Sequence, residues 1–275
     1  LMVQTFYYPR GGDSTYMLGL SRLLEERGHE VVPFCMETPN SLPTPYASYF
    51  VSEIDFPSLL ERRSLRAAWR VLVRSVYSGE ARRKIAALAD AVKPDVAHFH
   101  NVHAHLTTSI VGPLRVRKIP IVWTLHDYRL VCPITSFLCR GEICERCLPN
   151  RFYEAVRRRC KKGSLPASFM AMITTLYDRV ARIPSRVDRF ITPSEFLKAK
   201  LVAGGLDPNR IAAVPNFVDL DSYRASPEAD YFLYLGRLSH EKGLDYLIRA
   251  AARLDEGRLV IVGEGPAARE LRGLA

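Results

Sequence analysis

Twice between residues 231 and 272 an apolar run stops at a glycine, passes through a short polar turn and gives way to helical periodicity. Tyr231-Phe-Leu-Tyr-Leu235 reads as a buried strand. It is followed by Gly236-Arg-Leu-Ser-His-Glu-Lys-Gly243, then by Leu244, Leu247, Ile248, Ala251 and Leu254 at helical spacing. Arg258-Leu-Val-Ile-Val-Gly263 repeats the plan. Gly263-Glu264-Gly265-Pro266 leads there into Ala267–Arg272, and Pro266 suits a first helical position, where its missing N–H is not needed. Two successive units of this kind dictate parallel strands joined by right-handed crossovers. Their turns then lie together at the carboxyl edge of the sheet, where α/β folds hold ligands.

The first of these turns also has a charge pattern. A strand that ends in Gly236, with Arg237 next and Lys242 at the helix entrance, is a candidate diphosphate cradle. Helix-start N–H groups and the positive dipole end favour an anion there, and two fixed cations can neutralise a diphosphate from both sides. The alternative is an ordinary turn with two solvated cations, since basic residues are usually exposed.

Upstream, strands and helices alternate in the same way. A strand over 1–8 meets the turn Pro9-Arg10-Gly11-Gly12, then a helix capped by Asp13 or Ser14 that runs to Arg27. Further strands are expected at 30–35, 96–99, 119–125, 188–192 and 211–214, and helices at 58–77, 80–92, 103–117, 165–183 and 194–203. Residues 37–57 form a long irregular stretch of prolines and aromatics, and loops of that length tend to be functional. This alternation defines an α/β class with parallel sheets. Apolar periodicity lapses over 216–229, which separates a domain at 1–215 from the start of a second at 230–275.

The chain has 275 residues, 48% hydrophobic and 25% charged, enough for two cores and without an 18-residue apolar run that could span a membrane. It opens without an initiator Met or a basic-apolar leader and stops within a repeating β–α pattern, so a fragment is expected. The net charge of +10 concentrates in two places, Arg62 to Lys84 and Arg151 to Lys162. In the first, Leu65, Trp69, Leu72 and Val76 share a helical face with arginines interleaved. That pattern suits an anionic membrane surface or, equally, a core-facing helix with a solvated basic back. No nucleic-acid reading motif accompanies the charge.

Five cysteines crowd between residues 132 and 160. Cys144-Glu-Arg-Cys147 has the gap that lets two thiolates grip one tetrahedral ion, and with Cys132 and Cys160 it makes a candidate structural zinc site, Cys139 being spare. Free thiols and disulfides are the competing readings. His98, His100, His103 and His105 form a second dense set, better explained by strand-end hydrogen bonds or a cleft lining than by a metal. Asp219-Leu-Asp221 reads as a turn, and Glu195 and Lys198 as helix-start charges.

The order of Pro9-Arg-Gly-Gly-Asp13, Thr124-Leu-His-Asp127, Thr192-Pro-Ser-Glu-Phe-Leu-Lys198, Val214-Pro-Asn-Phe-Val-Asp219, Gly236–Gly243 and Val262–Pro266 resembles the retaining glycosyltransferases of family 4 over nearly the whole chain. The resemblance implies the GT-B fold, two Rossmann-like domains with a nucleotide-sugar donor between them, the second domain being incomplete here. It implies that Arg237 and Lys242 hold the donor diphosphate, and that Gly11 and Gly12 let backbone approach it closely. Gly236, Gly263, Glu264 and Gly265 would form the donor loop. His126 matches the family's cleft histidine, the candidate catalytic residue, which can position hydroxyls when neutral or stabilise phosphate when charged.

The donor would be a UDP- or GDP-linked sugar, and the acceptor a glycan or lipid-linked sugar at the cytoplasmic face of the inner membrane. Retention proceeds by same-face displacement, which needs no catalytic cofactor. The family's later pair of glutamates is not in this sequence, so the 275-residue polypeptide alone is expected to be inactive. A GT-B nucleotide-sugar epimerase and a basic zinc-bearing binding module are the alternative functions.

Overall fold

Six short parallel strands build the sheet of the first unit. They are β1 (Met2–Val3), β2 (Pro33–Phe34), β3 (Ala97–Phe99) and β4 (Ile121–Thr124), joined after a separate antiparallel hairpin, β5 (Leu138–Cys139) and β6 (Glu142–Ile143), by β7 (Arg189–Thr192) and β8 (Ile211–Ala213). Their order is β2-β1-β3-β4-β7-β8, with Met2 opposite His98 and Ala97 opposite Ile121. The computed structural model describes residues 1–53, 73–103, 105–218, 224, 230–254 and 256–274. The chain divides into two compact units, Leu1–Phe217 and Val218–Ala275.

Among the described residues the first unit's helices include α1 (Gly12–Glu25), α2 (Gly79–Val92), α3 (Val111–Val116), α4 (Tyr153–Arg157), α5 (Leu165–Val180) and α6 (Glu195–Ala203). Helix α2 shows why they form. The Ser78 hydroxyl accepts from the Ala81 amide at 3.1 Å, and Ala81, Ile85, Leu88 and Ala89 make one buried stripe. Trp123 lies at the centre of the core, with its ring against Phe99 and Phe190 and its indole N–H donating to the His100 carbonyl at 2.7 Å. Truncating such a fully buried ring to Ala costs about 3–5 kcal/mol.

The strand expected over 1–8 ends much earlier. Gln4 and Thr5 still extend the ladder, but Tyr7 turns its ring onto Phe50 and Phe6 packs on Tyr8. These aromatics pack against a loop and one another, which composition alone does not distinguish from strand burial. The helix expected over 103–117 is a single turn at Thr108–Ile110 followed by α3. The helix expected over 58–77 lies largely outside the described residues.

In the second unit β9 (Tyr231–Leu235) and β10 (Arg258–Val262) pair in parallel, Tyr231 opposite Arg258 and Leu235 opposite Val262. Helices α7 (Leu244–Ala251) and α8 (Ala268–Arg272) supply Leu244, Ile248 and Leu271 to a small core with Leu238 and Ala267. The parallel β–α plan is as expected, but burial of β9 is not. Phe232, Leu233 and Leu235 are exposed, because only Tyr234 of that strand packs against the small core.

Candidate active site

In the second unit the two strand-end turns meet backbone to backbone. The Gly236 amide donates to the Val262 carbonyl at 3.0 Å, Leu238 to Glu264 at 2.8 Å, and Ala267 back to Leu238 at 3.0 Å. Gly263 has φ +152, and a Cβ there would lie 1.8 Å from the Gly236 carbonyl oxygen. A Cβ on Gly265 would lie 2.1 Å from the Leu238 oxygen. Both positions therefore exclude any side chain, and the loop geometry depends on them.

On this platform Arg237 is exposed and pairs with Glu241, Nη2 to Oε1, at 2.8 Å. Lys242 closes a single helical turn, His240–Lys242, and makes no ion pair among the described residues. Gly243, in the left-handed region at φ +65, then starts α7. The structure thus brings Gly236, Arg237, Gly263, Glu264 and Gly265 into one loop pair at the carboxyl ends of parallel strands. It also shows that Arg237 has an acidic partner, Glu241, which the sequence reading did not weigh.

The first unit has its own carboxyl-edge cluster. Gly11 is the extended N-cap of α1, and the space a Cβ would occupy at Gly12 is open. The amides of Arg10 and Gly11 donate to the Ser14 hydroxyl at 3.0 and 3.1 Å. Asp13 does not cap the helix. Its Oδ2 instead accepts from the side-chain amides of Gln4 at 3.0 Å and Asn101 at 3.3 Å. Gln4 Oε1 in turn accepts from the Asn101 backbone N–H at 2.6 Å.

His126, at the end of β4, stacks on His100, with interplanar angle 19° and Nε2 3.2 Å from His100 Nδ1. His100 stacks on His98, whose Nε2 lies 2.8 Å from the Thr124 hydroxyl. Tyr16 of α1 packs edge-on against His126 at 5.4 Å and at a tilt against Phe217 at 5.2 Å. Burial holds all three imidazoles below their ordinary proton affinity. His98 falls to about 4; burial, then the charges of His98 and His126, holds His100 well below its ordinary value; and burial lowers His126 against the opposing charges of Asp13 and Asp127.

Gln4, Asn101 and Tyr16 were not singled out from sequence. A glutamine inside an apolar strand and an asparagine just beyond another were the signals available for the first two.

His103 stacks on Trp123 and lies 3.5 Å from buried Asp178, a structural role like that expected for the histidine set. Among the described residues no three His, Cys, Asp or Glu side chains converge as a metal site. Cys132, Cys144, Cys147 and Cys160 nonetheless lie near one another, since, after burial, Cys132 and Cys144 help raise the Cys147 thiol, and Cys144 and Cys147 help raise that of Cys160. Cys160 lies 3.2 Å from Cys139, sulfur to sulfur, and Arg158 supports the Cys139 thiolate. The β5–β6 hairpin thus brings Cys139, the cysteine expected to be spare, beside the segment that follows α4.

Two of the basic residues between 61 and 84 are also accounted for. Arg74 and Lys84 both bridge to Glu80, at 2.5 and 3.3 Å. Arg62, Arg63, Arg66 and Arg70 lie outside the described residues, as does Asp219-Leu-Asp221. Glu195 and Lys198 form a loose pair in the first turn of α6, which Ser194 caps.

The sequence pattern of Glycosyltransferase Family 4 matches residues 10–222. The chain belongs to that family. A second pattern, Glycosyl transferases group 1, matches residues 219–275 of the same family 4 chain. It is 22% identical over 286 residues to an uncharacterized 42.6 kDa protein in the cps region of Klebsiella pneumoniae, covering 96% of this chain and 68% of that one. It is also 22% identical over 282 residues to an uncharacterized glycosyltransferase of Methanocaldococcus jannaschii, covering 96% of this chain and 62% of the relative.

Among solved structures it resembles Anabaena HepE in complex with UDP and glucose, with TM-score 0.53, 14% identity, and 99% of this chain on 64% of that one. The apo lipopolysaccharide outer core galactosyltransferase WaaB gives TM-score 0.50 and 14% identity, with 99% of this chain covered and 63% of WaaB. The family 4 chain thus has the α/β fold of GT-B glycosyltransferases and spans somewhat under two thirds of these structures.

Proposed function

We propose that this family 4 chain carries the diphosphate-gripping part of a glycosyltransferase that uses a UDP- or GDP-linked sugar. The observation that carries the reading is the interlocked Gly236 and Gly263 turns, which present Arg237 and Lys242 at the carboxyl edge of a parallel strand pair. That geometry offers two cations to an anion beside glycines that keep side chains out of the turns. His126 serves the sugar end of the chemistry, and open Gly12 offers backbone for close approach.

The reaction we propose is retaining transfer to a glycan or lipid-linked acceptor. The departing phosphate oxygen takes the acceptor hydroxyl's proton as the glycosidic bond breaks. Rate then comes from positioning and from stabilising diphosphate charge, rather than from paired carboxylates. No helix among the described residues is long and apolar enough to cross a membrane. Attachment at an anionic inner-membrane surface is proposed from the Arg-rich composition of residues 61–84.

Titration of UDP, GDP and their sugar conjugates into the protein tests the donor reading. Binding that Arg237→Ala and Lys242→Ala both weaken supports it, and binding indifferent to both would refute it. Proton NMR of the product anomer decides retention.

A further inference from the structure

His126 can serve a sugar transfer in two opposite ways, as a hydrogen-bond acceptor or as a donor, and the choice depends on where its single proton sits. Three residues, linked by two contacts, settle this. His100 Nε2 is 3.1 Å from Met2 Sδ, and His100 Nδ1 is 3.2 Å from His126 Nε2. A thioether sulfur only accepts. His100 is buried, at 2% exposed, so a bare Nε2 facing sulfur would be an acceptor lodged against an acceptor with no water to relieve it. The proton of His100 therefore sits on Nε2, and its Nδ1 is a lone pair.

A fully protonated His100 would donate from both nitrogens, but burial, with His98 and His126 alongside, lowers its proton affinity well below the ordinary value. A contact between two imidazole nitrogens needs one proton between them. With His100 Nδ1 bare, that proton belongs to His126 Nε2.

We infer that Met2 and His100 are positioning residues that lock His126 as its Nε2–H tautomer, leaving Nδ1 as a bare acceptor for a hydroxyl of the bound sugar. Nδ1 of His126 has no hydrogen-bond partner among the described residues and is not closed off from solvent. The edge-on ring of Tyr16 holds the imidazole against rotation. A neutral acceptor suits a ligand O–H and is a poor match for phosphate oxygen. The inference therefore selects the hydroxyl-positioning role of His126 over the phosphate-stabilising one. It rests on the proposed transferase reading for the identity of the ligand, but not for the tautomer.

The test uses the whole chain labelled with 15N-histidine, without substrate, near pH 7.5. Long-range proton–nitrogen correlation should place His126 Nδ1 in the unprotonated range and Nε2 in the protonated range, with His126→Asn assigning the signals. Met2→Leu, which keeps apolar volume but removes the acceptor, should move the two His126 nitrogen resonances toward one another as both tautomers become populated. A protonated Nδ1 in the unaltered protein overturns the inference. So does a Met2→Leu spectrum in which His126 is unmoved. If the tautomer is as stated and no nucleotide-sugar binds, the transferase reading fails while the locked histidine stands.

Discussion

The Gly236 carbonyl oxygen occupies the place where a Cβ on Gly263 would project, only 1.8 Å from its ideal position. Backbone, unlike the end of a long side chain, cannot step aside cheaply, and Gly263 also has φ +152. Gly263→Ala is therefore expected to destabilise the second unit by about 2–3 kcal/mol, in the range of overpacked sites. Urea denaturation followed by exchange at the β9–β10 amides checks this. A loss below about 0.5 kcal/mol, the scatter of neutral surface changes, would show that the turns do not interlock.

Arg237 is already engaged by Glu241 at 2.8 Å, so a diphosphate must compete with a carboxylate for it. Arg237→Ala should weaken UDP or GDP binding about 10- to 100-fold, the loss of one charge-assisted contact of about 1.5–3 kcal/mol. Glu241→Gln should tighten binding by about 2- to 4-fold, because an exposed pair is worth less than about 1 kcal/mol. Calorimetric titration reads both. Weakened binding in Glu241→Gln would mean that Glu241 orients Arg237 instead of competing for it.

Much of this site was legible before the fold was. Gly236, Arg237, Gly263 and Gly265 follow strands whose register and order are local consequences of β–α alternation, so their meeting at one edge is predictable. The Glu241 partner was hidden because an i to i+4 pair in a turn depends on a local helical geometry that the sequence pattern does not fix. Asp13 looked like a cap, but Gln4 and Asn101 are brought to it by strand pairing across distant parts of the chain. The Cys139–Cys160 contact likewise depends on how a hairpin folds back, whereas Cys144 and Cys147 drew attention through spacing alone. Burial of β9 was overestimated because apolar composition reports the capacity to be buried, not the presence of a covering layer.

Acid should destabilise the first unit in two separable windows. Burial lowers His98 to about 4 from 6.5, with His126 contributing. The unfolded chain then binds the extra proton first, so the stability due to neutral His98 is complete above about 6.5 and declines as pH falls toward about 4. Glu80 behaves as a depressed carboxylate. Burial alone would raise it, but hydrogen bonds from Ser52 and Lys84 and the charge of Arg74 bring it to about 2 from 4.5. Its contribution is complete above about 4.5 and declines as pH falls toward about 2. Urea midpoints measured across pH should show that Glu80→Gln flattens only the lower window. A change confined to the upper window would reverse the assignment.

The loop from Cys132 to Cys160 makes a last prediction. Cys139 and Cys160 are 3.2 Å apart, Arg158 favours the Cys139 thiolate, and Cys160 is pushed up to about 12, first by burial and then by its bond to Cys139. A thiol of lowered proton affinity beside a second thiol is an arrangement from which a disulfide forms once an oxidant takes two electrons. In chelator-treated protein, peroxide oxidises the Cys139 sulfur to a sulfenic acid with release of water, and the Cys160 thiol then attacks that sulfur and displaces a second water to leave the cross-link. Peptide mapping without reductant should find Cys139 joined to Cys160, and Cys139→Ser should abolish that species. Repeating the oxidation with added zinc tests the ligand set read from spacing. Protection of Cys160 together with Cys132, Cys144 and Cys147 would mean that the thiols regroup around the ion, whereas an unchanged cross-link leaves the pair as the structure places it.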